Sequence, residues 1–526
     1  MTHFSRQLLL FMIVALTCQH SNASIITTLN FNDPVPVQTT RNPYDYMLSC
    51  GKDDRRRGQY PENQSRFSFT ATPFYQRASR GKGLAGEPVA NLGSLRGDLN
   101  MIAVLPFNAG GDIPTGETAN PYLNDIRTNL LSCIFDVFDK DPTAPSRAPG
   151  DLTTVEGLLA TQETTGQIGF FSIPIVYRKR GIRFQAQGLF SDSFGFCINT
   201  GFASIEQRVQ FVDQTQETAC VTVACTDTQE ERLKAPNPFT YSPVLESSIP
   251  GGAVTKTTDD QWRGVLSCIS NNLMSRLGDV ARATDTNLCS GTHTGMEDLY
   301  GELFWRRAFR INRNQDECDY SRFLLIPFAT VGGALGIDNH CNPHDGRNEL
   351  FALPFGNNGH NSFSFRAGAL MDFDRTVFRE ALEVGFDVGF THFSGKKYDT
   401  MPIPTNDFQN VIFPYIANTY VRPGNTWHGG LLLNSHHFCN QMSLYAHYLY
   451  VSHQQDTITV LDNDPEGIFK ADTLECLTSW SAQYINLGLN FDVSPCAVLG
   501  GLWQIPVTQR NAYRSTTYAL TFEASF

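Results

Sequence analysis

One short stretch of the chain gathers side chains that could bind a metal ion. The sequence DNHCNPHDG, 338–346, holds His340, Cys341, His344 and Asp345. Imidazole, thiolate and carboxylate groups are the ligands that zinc takes in proteins. A solvated loop has the same composition, and nothing else in the chain points to a metal. We therefore predict no metal site and no cofactor.

Serine and histidine residues raise the question of hydrolase chemistry. That chemistry needs a serine hydroxyl beside a histidine that a third polar group orients. The string SHH, 435–437, ends a predicted strand, and no motif ties a serine, a histidine and a carboxylate together. We predict that the protein is not an enzyme.

Polar and charged side chains recur at every second position of several segments, which is the spacing of a β-strand. If these segments surround water, their side chains could select solutes by charge. Arginines and acids fall on separate predicted strands. Their charges either set an electric field across the water-filled interior (the lumen), or they pair with one another and fill it. The predicted lumen-lining residues are Arg183, Gln185, Gln187, Arg306, Arg310, Arg366, Glu383, Asp387, Asn486, Asn490 and Glu523.

The strands that must position these side chains are most regular in the C-terminal part of the chain. In ALEVGFDVGFTHF, which begins at 381, apolar residues alternate with Glu383, Gly385 and Asp387. The first half is less regular; there we predict a hairpin over 171–190 with its turn at RKRG, and strands from 66 and from 99. The nine predicted C-terminal strands begin near 302, 321, 362, 381, 426, 442, 485, 497 and 515.

The connections between these strands alternate between short and long. The segments 494–496 and 439–440 are very short and 374–381 and 314–320 modest, whereas 453–479, 394–426 and 337–361 are long. The last connection, around 508–513, is short and departs from the pattern. Tight turns at one end and long loops at the other are typical of outer-membrane barrels. A soluble sandwich has no reason to alternate in this way.

Two stretches near 120–140 and 262–284 have apolar residues at helical spacing. Both contain the string LSCI, at Leu131–Ile134 and at Leu266–Ile269. We predict short helices in long external loops. They either narrow the pore as plug elements or simply pack the loops, and loop packing is the preferred interpretation.

Thirteen cysteines suit an oxidising compartment. Cys318, Cys439 and Cys496 fall in predicted periplasmic turns, where they could form bridges within the barrel or cross-links to neighbouring envelope proteins. Internal bridges are the preferred alternative.

The N-terminus predicts export. One arginine, Arg6, precedes the apolar run LLLFMIVAL, and SNA follows as a cleavage site, so we expect a signal peptide over 1–23. The remaining chain divides into a periplasmic or lumen segment, 24–65, and a barrel, 66–526. A formal net charge of −12 argues against a nucleic-acid partner.

The last residues, YALTFEASF, carry apolar side chains at every second position up to a terminal phenylalanine. This stretch resembles the C-terminal signature of bacterial outer-membrane β-barrels, and no specific subfamily is indicated. The resemblance implies location in the outer membrane and recognition by the barrel-assembly machinery. The residues that match it are Tyr518, Leu520, Phe522 and Phe526, together with Ala524.

The predicted fold is all-β: a closed antiparallel transmembrane β-barrel of about 14 strands, with a range of 12 to 18, and long external loops that carry short helices. The predicted function is a porin-like channel for passive diffusion of small hydrophilic solutes, with a possible structural role in the envelope. Expected partners are outer-membrane lipid, the assembly machinery, and a homo-oligomer or disulfide-linked envelope proteins. The alternative is a secreted, soluble, disulfide-rich β protein that binds a partner through its loops.

Overall fold

The computed structural model describes the strands of one closed barrel and the segments that pack at its ends. The predicted signal peptide, the segment 24–65, Cys318 and the cluster around His340 lie outside the described residues. The described residues are 67–83, 86–95, 99–104, 121–139, 170–191, 193–213, short stretches between 264 and 290, 291–313, 321–337, 351, 353–373, 381–405, 409, 411–439, 441–464, 467–494 and 496–526.

Strands dominate these residues, with four short or medium helices in the connections. The helices are α1 (Met101–Val104), α2 (Pro121–Asp139), α3 (Leu277–Ala283) and α4 (Ala471–Cys476). The strands are β1 (Phe67–Lys82), β2 (Pro88–Val89), β3 (Leu99–Asn100), β4 (Phe170–Ser172), β5 (Ile175–Leu189), β6 (Phe194–Val209), β7 (Val212–Asp213), β8 (Gly291–Met296), β9 (Leu299–Arg306), β10 (Phe309–Arg313), β11 (Ser321–Leu335), β12 (Ser362–Phe373), β13 (Ala381–Phe393), β14 (Lys396–Ile403), β15 (Tyr415–Arg422), β16 (Thr426–Cys439), β17 (Met442–His453), β18 (Thr457–Val460), β19 (Trp480–Ser494), β20 (Ala497–Arg510) and β21 (Ala512–Ser525).

Twelve antiparallel strands close into a ring. Its order is β1, β5, β6, β9, β11, β12, β13, β16, β17, β19, β20 and β21, and β21 pairs with β1 again. The strand β9 completes the wall because it pairs with β6 on one side and with β11 on the other. Two short breaks divide the wall strand 291–313 into β8, β9 and β10. Closure leaves no strand edge open to lipid, as a membrane-spanning sheet requires.

The nine predicted C-terminal strands are all wall strands, and the closed barrel is confirmed. Twelve strands lie within the predicted range, two fewer than the estimate of about 14. The predicted hairpin over 171–190 is wrong, because residues 175–189 form one continuous strand. The predicted strand from 99 is also wrong as a wall strand, since only Leu99 and Asn100 are extended before α1 begins. The wall strand β6 was not predicted.

The mispredicted turn has a physical explanation at Gly181. A Cβ atom at this position would collide with the backbone of Phe202 and Ala203 on the neighbouring strand β6. Glycine therefore marks a close approach of two strands here, not a turn. Its charged neighbours fit an extended strand, because Lys179 points into the barrel and Arg180 points out of it.

Side chains on the wall alternate between two surroundings. On β21, Leu520 and Phe522 are 63% and 54% exposed, whereas Thr521 and Glu523 are 2% and 6% exposed. Exposed apolar side chains also line β13, β16 and β19. An apolar outer surface around a closed ring is the surface that contacts lipid in a membrane barrel. A soluble β protein would bury these stripes, so the alternative of a secreted soluble protein is wrong.

The two ends of the barrel differ. The first and last wall strands meet at one end, where the Phe526 N–H donates to Phe67 O at 2.8 Å. The turns β16–β17 and β19–β20 also lie there, and we name it the turn end. The long connections lie at the opposite end, the loop end. The link β20–β21 at that end is the single residue Asn511, whose φ of 50° suits asparagine in a tight turn.

Smaller structures pack at the loop end. The sheet β14–β15–β18 continues three wall strands beyond the barrel and packs against α4 around a core that includes Tyr398, Val421 and Leu474. A second small sheet is formed by β3, β4 and β7. The helix α2 carries Cys133, which forms a disulfide with Cys268. These are the cysteines of the two LSCI strings. None of the described helices is long and apolar enough to cross a membrane.

Candidate functional site in the barrel lumen

The predicted lumen-lining residues all lie on wall strands, on the face turned toward the barrel axis. Seven of them are nearly buried: Arg306, Arg366, Glu383, Asp387, Asn486, Asn490 and Glu523. The other four, Arg183, Gln185, Gln187 and Arg310, are half-buried. Their register supports the inward direction, since Gln185 lies opposite Thr70 on β1 and opposite Asn199 on β6. Their role in solute passage stays a prediction.

A buried ion triad forms where β5 faces the break between β8 and β9. Lys179 Nζ lies 2.7 Å from Glu297 Oε1, and Arg183 Nε lies 2.7 Å from Glu297 Oε2. The Arg183 guanidinium also stacks 4.3 Å from the centre of the Phe74 ring. A carboxylate shared by two cations offsets part of the cost of burying all three charges. The triad therefore ties β5 to the β8–β9 link across the intervening strand β6, from inside the barrel.

A second cluster joins β9 to β12 across the intervening strand β11. Arg366 Nη2 lies 3.9 Å from Glu302 Oε1, and the Tyr300 hydroxyl lies 3.2 Å from the other carboxylate oxygen of Glu302. Tyr300 also shares a hydrogen bond of 2.9 Å with Ser364. Glu302 is 4% exposed. This cluster places a carboxylate and a guanidinium side by side on the lumen wall.

The acids on β13 have polar partners on the adjacent strand β16. The Asn434 side-chain amide donates to Glu383 Oε2 at 2.7 Å, and His428 Nε2 lies 3.5 Å from Asp387 Oδ2. Because β12 and β13 are neighbours, Arg366 lies beside these acids in the wall. The expected separation of arginines and acids does not hold for the whole lumen, because Glu302 shares β9 with Arg306 and Asp372 shares β12 with Arg366. The charges consequently concentrate on the side of the barrel from β5 to β13.

The other side of the barrel, from β16 round to β1, presents mainly neutral polar groups. His447 and Asn486 form a hydrogen bond of 3.2 Å, and the Thr517 hydroxyl donates to Gln504 at 3.0 Å. Among the described inward side chains there, carboxylates occur only near the turn end, at Glu523 and Asp492. Amides, imidazoles and hydroxyls both donate and accept hydrogen bonds. This half of the lumen can therefore bind uncharged hydrophilic groups.

A segment of the β11–β12 connection folds into the loop end of the lumen. We call residues 353–360 the mouth segment. Phe355 is 1% exposed, and its ring occupies the space that a side chain at Gly295 on the inner wall would need. Asn358 and Gly359 have φ values of 53° and 73°. Asparagine and glycine tolerate this left-handed conformation, which turns the chain back toward β12.

The mouth segment is anchored on both sides of the opening. On one side, Lys179 Nζ donates to Phe355 O at 3.3 Å, and the Asn357 N–H donates to Asp298 at 2.6 Å. On the other side, His360 Nδ1 lies 2.8 Å from Ser394 O, and its ring contacts Tyr398. The ring order places four wall strands between β5 and β13. The segment thus bridges five of the twelve intervals between neighbouring wall strands, about two fifths of the circumference.

The lumen is enclosed along the described strands. Most inward-facing side chains there have less than a tenth of their surface exposed, including charged groups on β9, β12 and β13. A solute that moves along the barrel must therefore displace atoms that now cover these side chains. The polar wall and the mouth segment together enclose a narrow lumen along the described strands rather than a wide pore.

A hydroxyl, an imidazole and a carboxylate align at the loop end. The Thr426 hydroxyl lies 2.8 Å from His453 Nδ1, and His453 Nε2 lies 2.9 Å from Asp456. Hydrolases use such sets, yet here all three residues are nearly fully buried, with Thr426 2% exposed. The Asp456 N–H also donates to Thr478 at 2.8 Å. The network therefore holds the connection β17–β19 in place. That the protein is not an enzyme stays a prediction.

Several residues of the site were not singled out from the sequence. Lys179 shares the inward parity of Arg183, but the turn predicted at RKRG concealed it. Glu297 lies in the break between β8 and β9, where the alternation of side chains along a strand does not predict which way a residue points. The contacts of the mouth segment join residues far apart in the chain: Lys179 and Phe355 are separated by 176 positions. No local pattern signals such contacts.

The predicted assembly residues all lie on the outer face of β21. Tyr518 and Phe526 are 50% and 72% exposed. Of the predicted turn cysteines, Cys496 is exposed and unpaired at the turn end. Cys439 is the last residue of β16, at the same end. Recognition by the assembly machinery and any pairing of these cysteines stay predictions.

Comparisons with known proteins add solved structures of low similarity. No family model and no curated protein matches the sequence. An outer membrane channel from Pseudomonas putida F1 is 8% identical, over 88% of this chain and 96% of that chain, with a TM-score of 0.38. The translocator domain of the autotransporter NalP from Neisseria meningitidis is 6% identical, over 90% and 94%, with a TM-score of 0.29. A FadL homologue from Pseudomonas aeruginosa is 11% identical, over 87% and 89%, with a TM-score of 0.23.

Likenesses of this size carry no argument about function. The chain's own structure is stronger evidence, because it has a closed antiparallel ring, an apolar outer surface, and turns and loops segregated to opposite ends. These three properties together define transmembrane barrels of the outer membrane. The protein is a closed antiparallel β-barrel of the transmembrane type, with no subfamily assigned.

Proposed function

We propose that the protein is a channel for passive diffusion of small hydrophilic solutes across the outer membrane. The observation that carries this proposal is the lining of the lumen. Its inward side chains are charged on one side and rich in amides and hydroxyls on the other. A barrel whose only role was structural would not need this polarity, since an apolar interior packs as well.

The mouth segment supports a passage with a constriction. Porin-type selectivity depends on pore diameter and on rings or rows of charge at the narrowest point. The ion triad of Lys179, Glu297 and Arg183 lies directly beneath Phe355 of the mouth segment. Solutes would pass this charged layer first and the cluster of Glu302 and Arg366 next.

Conductance in planar bilayers tests the proposal. The refolded full chain should give discrete conductance steps, and the lumen-facing arginines should influence ion selectivity. We expect the double substitution Arg306→Gln and Arg310→Gln to shift the reversal potential toward cation selectivity in a salt gradient. The matched control is Arg307→Gln, because Arg307 is exposed on the outer side. Barrels that insert but stay silent, with and without the mouth segment, would contradict channel activity.

A structural role in the envelope is the second candidate. Cys496 supports it, because an exposed, unpaired thiol at the turn end can reach a neighbouring protein in an oxidising compartment. Non-reducing gels of membranes should then show multimers that the substitution Cys496→Ser removes. A monomer that migrates identically with and without reductant would exclude disulfide-linked partners through this residue.

A further inference from the structure

The outer surface of the barrel carries a group of arginines near the loop end. They lie on four consecutive wall strands, β21, β1, β5 and β6, and all occupy outward-facing positions. We call them the arginine patch: Arg77, Arg178, Arg180, Arg208 and Arg514. The whole chain has a net charge of −12. An excess of basic residues in the whole chain therefore does not explain why five arginines gather at this place on the barrel.

The strand register brings these arginines close together. Arg77 on β1 lies directly opposite Arg178 on β5. On the other side Arg77 lies opposite Thr516, which places Arg514 at the diagonal position. Like charges in directly opposed positions destabilise a sheet. The arrangement consequently calls for an anion nearby.

The described residues supply only part of that negative charge. Glu206 lies 2.7 Å from Arg208 and 3.7 Å from Arg178. Among the described residues, no carboxylate lies within ion-pair distance of Arg77, Arg180 or Arg514, although Glu206 acts on Arg180 at longer range, and all three arginines are exposed. Three cations thus remain available to an external anion.

The patch lies at the height where lipid head groups begin. Just below it, outward-facing aromatic residues end the apolar band: Tyr75, Tyr518 and Trp503, of which Trp503 and Tyr518 stack. Arg77 is ten residues along β1 from Phe67. At the tilt of barrel strands this spacing corresponds to about 25 Å, the height of the apolar band. The arginines therefore face the head-group layer on the loop-end side.

Two apolar grooves lie on the outer wall, one beginning at the patch and one beside it. One, of about 750 Å³, begins at Arg180 and is lined by Ile182, Phe202 and Met296. The other, of about 580 Å³, runs between Tyr75 and Trp503 toward Leu489. The two grooves meet at neighbouring strands, because Tyr75, which lines the second groove, lies opposite Arg180, which lines the first. Grooves of this kind can hold acyl chains whose head group lies at the arginines.

We infer that the arginine patch and its grooves form a binding site for an anionic lipid whose head group carries phosphate. Guanidinium groups bind phosphate oxygens through paired hydrogen bonds. Basic residues at a membrane surface attract such head groups strongly. The lipid belongs to the leaflet that faces the loop end, and its acyl chains lie in the grooves. This inference does not depend on channel activity.

Native mass spectrometry of the detergent-purified full chain tests the site. The probe is lipid A, an acylated disaccharide with two phosphate groups, compared with the same molecule after enzymatic removal of its phosphates. The test variant is Arg77→Gln with Arg180→Gln. The control is Lys397→Gln with Arg422→Gln, which removes the same charge from exposed positions of the external sheet where neither groove reaches. Heat-modifiable gel migration verifies that each variant is folded.

We expect wild type and the control to retain one phosphorylated lipid and the dephosphorylated form to bind weakly. The test variant should retain about ten-fold less of the phosphorylated lipid. Equal retention by the test variant and wild type, or equal binding of the dephosphorylated form, would overturn the site. A dimer that the test variant abolishes, with no change in bound lipid, would assign the patch to a second copy of the chain instead.

Discussion

Lys179 is a fully buried cation whose partners all lie inside the barrel. Its ammonium contacts Glu297 and the backbone of the mouth segment, and Glu297 is shared with Arg183. A buried charge that loses its partner costs far more than the pair contributes. The carboxylate of Glu297 is therefore the group on which this part of the wall depends.

Removing that carboxylate should destabilise the barrel. The substitution Glu297→Gln leaves Lys179 enclosed without its direct ion-pair partner, and we expect a loss of about 3–5 kcal/mol in the free energy of unfolding. Glu206→Gln is the matched control, because its ion pairs with Arg178 and Arg208 are open to solvent and contribute little to stability. The midpoint temperature of the gel shift from folded to unfolded barrel measures both. Equal midpoints for the two variants would contradict the role of the triad.

The sequence predicts correctly which side chains point into the lumen wherever that direction follows from the alternation along a strand. Arg183, Glu383 and Asn486 point inward because period-two alternation fixes their side once the strand is known. The prediction failed at Lys179, because a glycine after charged residues was interpreted as a turn. It also failed at Glu297, which lies where the strand breaks. Where a strand breaks depends on its contacts with the neighbouring strands, so the sequence of one segment does not predict the break.

The mouth segment is the element most directly linked to the proposed passage. Its anchors lie on β5, on the β8–β9 link, on the β13–β14 link and on β14, so it is fixed on both sides of the opening. Neither its inward fold nor its partners could be predicted, since every anchor is distant in sequence. The sequence predicted only that the mouth segment belongs to a long connection, 337–361, at the loop end.

Loosening the mouth segment should open the channel. Replacing residues 353–358 by an equally long glycine and serine linker removes Phe355 and its contacts, and we expect single-channel conductance to rise about two-fold or more. The control is Ile416→Ser with Tyr420→Ser on the exposed face of the external sheet. A linker variant that is folded and conducts exactly as wild type does would show that the segment lies outside the permeation path.

The last strand provides a test of assembly. Phe526 is largely exposed on the outer face, so its side chain is available to an assembly factor and contributes little to packing. We expect Phe526→Ala to lower the amount of folded barrel in the outer membrane several-fold while the same variant refolds normally in detergent. Phe491→Ala is the control, because Phe491 is exposed to lipid on β19. Similar losses for both variants would argue against a specific signal.

Strands were predicted well wherever their two faces meet unlike surroundings. Lipid on one side and polar lumen on the other impose the alternation seen in β13, β19 and β21. The strand β6 was not predicted because Gly195 and Gly201 occupy inward-facing positions. The alternation of polar and apolar side chains along this strand is therefore weak. The divided hairpin at RKRG and the short stretch at Leu99 each added one strand and the missed β6 removed one, which gave thirteen candidates, and the even strand number expected of such barrels raised the estimate to about 14.

At the scale of the whole molecule, the account rests on which stripe faces lipid. Closure of the ring and exposure of the apolar side chains both place the hydrophobic stripes outside. Every other conclusion follows from this arrangement: the polar lumen, the position of the mouth segment, and the arginine patch at the head-group level. The orientation of native tryptophans offers a direct check, because Trp427 and Trp503 are outward and Trp480 is turned inward against His453.

Fluorescence quenching by brominated lipids is the measurement that tests this claim most directly. Bromine quenches tryptophans that contact acyl chains, so the double substitution Trp427→Phe and Trp503→Phe should remove much of the quenched emission of the barrel in vesicles. Trp480→Phe should lower total emission and leave the quenched amplitude unchanged. If Trp480→Phe removed the quenched emission and the double substitution did not, the stripes would face the opposite way and the account would be wrong.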